Sequence, residues 1–209
     1  MKCISRPVRL CAAVLLLLIL TACGPTESVN PLSDPLQAKH DEELLGTWAG
    51  RNEDDTILMH FVPAKKSFTH IVLVGRGKDG ADILTYEMFP TSIGKNRYMN
   101  VRNWKPKPQA GGKKEDASGI RFFFTKYEIA EDLLTIWTTK NGTIRKAIEQ
   151  QKLEGEIRKG KHFTSVTITD SSGNLSRFVQ STDHEILFEL FMKFKKVEIE
   201  FPLPEPKED

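Results

Sequence analysis

The amino-acid sequence predicts a mainly β protein of the α+β class, in which an antiparallel meander forms a small barrel or curved sheet, with one or two short helices in the C-terminal half. Six apolar runs rich in β-branched and aromatic residues follow one another between residues 56 and 139, separated by turn-like segments. The connections are short, which favours antiparallel neighbours because parallel strands need long crossovers. Such a meander closes most simply as a sandwich or a barrel.

The predicted elements follow in chain order. The strands of the meander are 56–62, 68–74, 83–89, 97–103, 120–129 and 133–139. Apolar side chains three and four apart predict a short helix over 143–153, and strand character returns over 163–169. Oxygen-bearing side chains at 170–172 predict the N-cap of a second helix, which runs through Val179. The last predicted strand is 186–201.

The first 22 residues have the layout of a secretory signal peptide. Lys2, Arg6 and Arg9 precede an apolar run that ends at Leu20, and small residues follow it. The apolar run is too short to span a bilayer as a stable helix. We therefore expect this segment to be a removable leader and not a transmembrane helix.

Leu20, Thr21, Ala22 and Cys23 resemble, in order, the lipobox of bacterial lipoproteins. The resemblance implies cleavage before Cys23, a thioether-linked diacylglycerol on its sulfur, and acylation of the freed amine. The protein would then be anchored to a membrane without spanning it. In enteric-type bacteria an aspartate after the cysteine retains such proteins in the inner membrane, so Gly24 favours the periplasmic face of the outer membrane. The alternative is an ordinary secretory leader followed by a free cysteine.

The composition of the mature chain gives no indication of nucleic-acid binding. The full chain has 30 basic and 28 acidic side chains, and three basic ones leave with the leader, so 27 basic against 28 acidic side chains remain. No stripe of Lys and Arg with interleaved aromatics replaces that lost charge. Because Cys3 and Cys11 also leave, no disulfide can stabilise the exported domain.

The predicted organisation is a single domain between two solvated segments. Residues 23–42 contain Pro25, Pro31 and Pro35 with few large apolar residues, which is typical of a flexible, lipidated tether. Residues 43–201 form the globular domain, which is long enough to bury a core. Residues 202–209 alternate prolines with charges and are expected to be a disordered tail.

The segment Leu44-Leu45-Gly46-Thr47-Trp48, just ahead of the first predicted strand, is similar to the Gly-x-Trp opening of lipocalins and lipocalin-like barrels. In those families the tryptophan closes one end of the barrel, and an arginine from near the last strand often lies over its ring. The last strand here offers Lys193, Lys195 and Lys196 instead. The resemblance implies a carrier of a lipid or other hydrophobic ligand. The residues predicted to line its cavity are Met59, Phe61, Ile71, Phe122, Phe124 and Trp137.

The first predicted hairpin is apolar on both faces. A turn centred on Lys65 would place His60 opposite His70 and leave apolar side chains on both sides of the pair of strands. A sheet that is solvated on one side alternates apolar with polar residues, so we expect both faces of this hairpin to be covered. The predicted helix over 172–181 is one cover, and a ligand cavity or a docking surface is the other.

Two imidazoles that face each other could supply two zinc ligands. A zinc site needs at least three protein donors, and no further Cys or His with ligand spacing accompanies His60 and His70. We therefore expect no metal or other cofactor. Local sensitivity to pH is the expected consequence of the pair, since neighbouring imidazoles resist double protonation.

The segment from Trp104 to Asp116 is the predicted interaction surface. It joins two predicted strands and combines an aromatic side chain with several lysines, which would suit anionic headgroups at a membrane. The alternative is an exposed, solubilising loop. The residues that carry the prediction are Trp104, Lys105, Lys107, Lys113 and Lys114.

No motif for catalysis occurs in the sequence. There is no Gly-x-Ser-x-Gly elbow, no His-Glu-x-x-His and no phosphate loop, and the glycine-rich run 75–80 joins two predicted strands. We therefore expect a non-enzymatic lipoprotein of the cell envelope that acts as an interaction or assembly module for another envelope protein. The alternatives are the hydrophobic-ligand carrier and a hydrolase whose acidic or hydroxyl side chains cluster at a strand end.

Overall fold

The computed structural model describes residues 26–52, 55–65, 67–77, 80–103, 120–160 and 163–198. Eleven strands occur in these residues, and they are numbered in chain order. They are β1 Glu27–Ser28, β2 Gly46–Asn52, β3 Asp55–Pro63, β4 Thr69–Gly77, β5 Gly80–Ile93, β6 Asn96–Asn103, β7 Phe123–Ala130, β8 Leu133–Thr139, β9 Gly155–Lys159, β10 Thr164–Ile168 and β11 Phe188–Val197. The helices are α1 Asn141–Glu149, α2 Ser172–Ser181 and α3 His184–Leu187, and two short 3-10 turns span Pro35–Gln37 and Glu42–Leu44.

Eight strands form a closed antiparallel barrel in the order β11-β2-β3-β4-β5-β6-β7-β8. Consecutive strands pair from β2 to β8, and β11 closes the barrel by pairing with both β8 and β2. The predicted fold class, an antiparallel meander with short helices in the C-terminal half, is confirmed. Full closure leaves no unpaired strand edge in the barrel.

The barrel has two distinct ends. At one end β2 begins at Gly46 and the turns β3–β4, β5–β6 and β7–β8 lie together; we call this the closed end. At the other end lie the β4–β5 turn, the end of β8 at Thr139 and the start of β11 at Phe188; we call this the open end. The two ends differ in packing, as described below.

The first barrel strand was not predicted as a strand. The Gly-Thr-Trp motif lies inside β2 and not ahead of the first strand. Two glycines in seven residues do not predict a strand, because glycine has no side chain to pack against its neighbours. Gly50 is small for a packing reason, because an added Cβ would lie 2.6 Å from Met192 Sδ and 2.7 Å from the Phe194 ring.

A second layer covers part of the outer barrel wall. It consists of the small sheet β1-β10-β9, in which β1 is parallel to β10, together with helices α1 to α3. Ser171 is the N-cap of α2, as the sequence predicts, and its hydroxyl accepts a hydrogen bond from Asn174 N–H. The last strand begins two residues later than predicted because Asp183 caps the short helix α3.

The expectation of a flexible tether is wrong for residues 26–42. This segment follows the barrel wall from the open end to the closed end, and we call residues 26–44 the strap. Leu32 is 2 % exposed, and its N–H donates to Asn100 Oδ1 on β6 at 2.6 Å. Ser33 shares a hydrogen bond of 2.5 Å with Thr91 on β5. The composition predicted a tether because the segment has few large apolar residues, but a few buried contacts are enough to hold the strap on the barrel wall.

The expected cover of the β3–β4 hairpin is also corrected. Helix α2 packs through Leu175 and Val179 on the outward side chains of β6 and β7, and not on the hairpin. The inner face of the hairpin is covered by the barrel interior itself. Its outer face keeps Leu58 and Val62 about two-fifths exposed.

Candidate ligand-binding site

Trp48 seals the closed end of the barrel. Its side chain is fully buried, and its indole N–H donates to the carbonyl of Leu44 in the strap at 2.7 Å. The ammonium of Lys196, on the last strand, lies 5.2 Å from the centre of the indole ring. A lysine therefore makes the cation contact that the resemblance to lipocalins implies for an arginine.

A polar network surrounds this seal. The Tyr127 hydroxyl donates to Asp41 Oδ2 at 2.5 Å, and Arg97 donates to the same carboxylate at 3.1 Å and to Glu43 at 2.5 Å. Burial raises the pKa of the Tyr127 phenol, and its hydrogen bond to the negative Asp41 raises it further. These contacts join the strap to β6 and β7, so they hold the closed end shut.

The interior of the closed half is densely filled. Side chains from all eight strands, together with Leu44 of the strap, form one buried cluster, and alternate residues on each strand contribute to it. Met59, Phe61 and Ile71, which were predicted to line a cavity, belong to it. Its members are Leu44, Trp48, Met59, Phe61, Ile71, Met88, Met99, Val101, Tyr127, Leu134, Ile136 and Phe194.

Near the open end, the inward-facing side chains are only partly buried. Leu84 pairs with Leu73, which is also inward-facing, yet Leu84 is 47 % exposed. Tyr86 and Phe123 meet edge to face with ring centres 5.8 Å apart. The partly buried residues packed on the interior cluster here include Ile57, Leu73, Tyr86, Phe123 and Met192. Apolar side chains that face the barrel interior are therefore partly exposed to solvent at this end, and we call this exposed part of the interior the opening.

Thr125 places an unsatisfied hydroxyl beneath this opening. It lies on β7 between the inward-facing Phe123 and Tyr127, and it is 8 % exposed. Its Oγ1 is buried with no hydrogen-bond partner among the described residues. A buried hydroxyl without a partner costs free energy, and native proteins leave few of them. A ligand or water that carries a hydrogen-bonding group would satisfy it.

Tyr86 adds a second hydroxyl closer to the opening. No described residue makes a hydrogen bond to it, and burial raises the pKa of its phenol, so it stays neutral at physiological pH. The site therefore combines apolar walls with two neutral hydroxyls. Pockets for small apolar ligands commonly have this composition, in which few polar groups fix the orientation of the ligand.

The prediction that six residues line one cavity is wrong for three of them. Phe122, Phe124 and Trp137 face outward, because strand residues alternate and Phe123, Thr125 and Tyr127 occupy the inward positions of β7. Phe122 meets Phe89 with ring centres 6.2 Å apart, and Phe124 meets Phe188 at 6.3 Å. The ammonium of Lys126 lies 4.9 Å from the Trp137 ring on the same outer wall.

The predicted register of the two histidines is wrong by two residues. His60 pairs with Val72, and His70 pairs with Val62, because the turn closes at Ala64 and Phe68 and is centred one residue later than expected. His60 Nδ1 hydrogen-bonds Thr47 Oγ1 at 2.5 Å, and His70 Nε2 lies 3.7 Å from Glu87. In the described part of the chain, no group of three or more His, Cys, Asp or Glu could hold a metal ion.

Two predicted sites lie outside the described residues. One is the lipid attachment at Cys23, and the other is the surface formed by Trp104, Lys105, Lys107, Lys113 and Lys114. Among the helices that the structure describes, none is long and apolar enough to cross a bilayer.

A second concavity, a cleft of about 470 Å³, lies outside the closed end. It runs between the strap and the ends of β5 and β6, and its lining includes His40, Asp41, Thr91 and Arg97. Part of this lining is already engaged in hydrogen bonds, since Thr91 bonds Ser33, His40 bonds Thr69 and Arg97 bonds Asp41.

Sequence reasoning missed Leu84, Tyr86 and Thr125. Strand alternation could have found Thr125, since it shares a face with Phe123 and Tyr127. Whether inward-facing side chains reach solvent depends on strand lengths and on the strap, which no local pattern encodes. No family model, curated protein or solved structure matches this chain.

Proposed function

We propose that this chain is a lipid-anchored protein of the cell envelope, attached through Cys23, whose barrel binds a hydrophobic ligand through its open end. The proposed place is the periplasmic face of the outer membrane. The lipobox supports the lipid anchor, and Gly24 supports the location at the outer membrane. The barrel, its sealed closed end and its partly exposed interior support the binding function.

One observation carries the binding proposal. The interior contains a nine-tenths buried hydroxyl, Thr125 Oγ1, that has no described partner, and it lies below apolar side chains that reach solvent. A filled structural core would rarely keep such a group, because an alanine or valine there would avoid its desolvation. A ligand with an apolar body and one hydroxyl, carbonyl or carboxyl group would satisfy it.

The side chains of the interior suit an elongated, variable ligand. All four methionines of the mature chain, Met59, Met88, Met99 and Met192, belong to the interior cluster or pack on it. Methionine is unbranched and polarisable, so it adapts to irregular apolar shapes and is common at promiscuous binding surfaces. An acyl chain is the class of ligand that fits these interior side chains.

Native mass spectrometry of the mature chain tests the proposal. The chain would begin at Gly24 behind an ordinary secretory leader, so that it keeps the strap and needs no detergent. We expect an additional mass of lipid size on the wild-type protein and a loss of that mass in Thr125→Val. The matched control is Thr135→Val, on the outer face of β8. A bare mass for the wild-type protein, after lipid is offered, would reject the binding function.

A non-catalytic docking module is the second candidate, and the outer wall of the β3–β4 hairpin favours it. Leu58 and Val62 are exposed there beside the half-buried Val72 and Val74, and helix α2 does not cover them. A photo-crosslinker at residue 62 in intact cells would report a partner. We expect one defined adduct if the hairpin docks on an envelope protein, and a diffuse or empty pattern if it does not.

A further inference from the structure

The chain enters the fold at the open end of the barrel. Thr26 is 2 % exposed, and its N–H and Oγ1 both donate to Asn141 Oδ1, at 3.0 and 2.5 Å. Asn141 begins α1, directly after β8 ends. Ser28 exchanges two backbone hydrogen bonds with Phe122, just before the start of β7. Both partners lie where their strands meet the open end, so Thr26 is fixed there.

The linker to the lipid is therefore very short. Cys23 precedes Thr26 by three residues, which span at most about 11 Å even when fully extended. A tether of some twenty residues would have allowed the barrel to stand tens of Å from the bilayer. The strap uses those residues along the barrel wall, so a lipid on Cys23 must lie close to the open end.

Exposed apolar side chains lie on opposite sides of this same end, among exposed charged residues such as Asp82 and Glu189. On one side Ile83 and Leu84, in the β4–β5 hairpin, are 64 % and 47 % exposed. On the opposite side of the barrel, Leu190 and Phe191 near the start of β11 are 54 % and 43 % exposed. Ile186 of α3 is also exposed, and its carbonyl accepts from Thr143 in α1. Isolated exposed apolar residues are ordinary, but a group of them around one opening marks an interaction surface.

The small sheet adds one more apolar side chain on this side. Strand β10 runs parallel to β1 with Thr167 beside Glu27, so Phe163, four residues earlier, projects in the direction from which the chain enters β1. Phe163 is 53 % exposed. The closed end also has exposed apolar side chains, Leu36 and Val62, but the strap and β6 place ion pairs there, between Arg97 and the carboxylates of Asp41 and Glu43.

We propose that the open end rests on the surface of the bilayer that holds Cys23, with these apolar side chains entering the interface. The inference rests on the lipid anchor of the proposed function. Interfacial binding grows with the apolar area that is buried, and the lipid on Cys23 keeps that area within reach of the bilayer. The ligand of the barrel would then pass between the bilayer and the interior without crossing water.

Site-directed labelling of the lipidated, full-length protein tests this orientation. The thiol of Cys23 is blocked by the diacylglycerol, so one introduced cysteine gives one label. Ile83→Cys and Leu190→Cys report the two sides of the open end. Val62→Cys and Leu36→Cys are matched controls, because they are exposed apolar residues towards the closed end. Each variant carries an environment-sensitive fluorophore and is reconstituted in vesicles of phosphatidylethanolamine and phosphatidylglycerol.

We expect blue-shifted emission from positions 83 and 190, and quenching by lipids with a nitroxide near the headgroup. Positions 62 and 36 should keep the emission of a label in water. Equal exposure of all four labels to water would overturn the proposal, as would protection of 62 and 36 alone. Blue-shifted emission from positions 83 and 190 that persists in the unlipidated chain starting at Gly24, in buffer without lipid or detergent, would instead assign this end to a protein contact and would also overturn the proposal.

A second pair of variants avoids dependence on the label. Ile83→Glu combined with Leu190→Glu should leave the lipidated protein on the vesicles but expose the β4–β5 hairpin at the open end to protease, whereas Val62→Glu combined with Leu36→Glu should not. Unchanged protection in the first pair would also contradict the proposal. Ligand binding, measured separately by native mass spectrometry, can succeed when the orientation fails, so the two failures are distinguishable.

Discussion

The two ends of the barrel are built from the same eight strands, but they differ in how fully the inward-facing side chains are buried. At the closed end Trp48 and Leu44 are at most 1 % exposed, and hydrogen bonds and a cation seal them. At the open end Leu84, which also faces inward, is 47 % exposed. The closed end is therefore the more tightly packed of the two, and the proposed function places ligand binding at the open end, so substitutions at the two ends should have different consequences.

The largest effect is expected from Trp48→Ala. The substitution removes a fully buried indole and its hydrogen bond to Leu44, so unfolding should become easier by about 3–5 kcal/mol. Urea unfolding followed by circular dichroism measures the change. Leu84→Ala is the open-end control, and its effect should stay below about 1 kcal/mol. Similar costs for the two substitutions would show that the ends do not differ in packing.

Two inward-facing glycines offer the next comparison. A Cβ at Gly50 would lie 2.6 Å from Met192 Sδ, whereas a Cβ at Gly75, near the open end, would meet nothing within 4 Å. We expect Gly50→Val to destabilise the fold by about 1–3 kcal/mol through overpacking. Gly75→Val should change stability little in the same unfolding assay. A tolerated valine at position 50 would mean that the interior beside β11 is not filled.

The third comparison is between two tyrosine hydroxyls, that of Tyr127 at the closed end and that of Tyr86 at the open end. Tyr127→Phe removes the hydrogen bond to Asp41 and should cost about 1–2 kcal/mol, since bonds to charged groups contribute more than neutral ones. Tyr86→Phe removes no bond to a described residue and should leave the stability of the ligand-free protein unchanged. Thermal unfolding measures both. A cost for Tyr86→Phe that equals that of Tyr127→Phe would place a structural partner at the open end.

The smallest effect is expected from a change of pH, which acts through His184 in the layer outside the barrel. Burial lowers the pKa of His184, and the charge of Lys126 lowers it further, while Tyr98 and Asn96 reach its Nε2 at 3.2 and 3.3 Å. The unfolded chain therefore binds a proton that the folded protein does not, so stability should fall as the pH drops below about 6.5. His184→Gln should flatten that slope. A slope that is unchanged in this variant would assign the pH dependence to other groups.

The sequence predicted the barrel better than it predicted the site. Period-2 runs and short connections are local signals, so most of the strands and the antiparallel closure could be predicted. The strap could not, because Leu32 and Thr26 are held by a few hydrogen bonds with residues far along the chain. The inward positions of β7 were assigned to the wrong face, since Phe122 and Phe124 are more apolar than Thr125.

The remaining errors have similar causes. The hairpin register failed because a turn centre that moves by one residue moves every pair by two, which keeps the faces but separates His60 from His70. Strand β2 was not predicted because its two glycines are untypical of a strand. Gly50 is nevertheless required there, because the side chains of Met192 and Phe194 pack against it. These features are set by tertiary contacts, and a local pattern does not report them.

Binding of a fluorescent fatty acid to the purified mature chain tests the central claim most directly, when the wild-type protein is compared with Leu73→Trp and Val62→Trp. Leu73 faces inward below the opening, so tryptophan there should block entry, whereas Val62 faces outward. We expect saturable binding by the wild-type protein and by Val62→Trp, and at least a tenfold loss for Leu73→Trp. No saturable binding by the wild-type protein, or equal binding by both variants, would contradict the account.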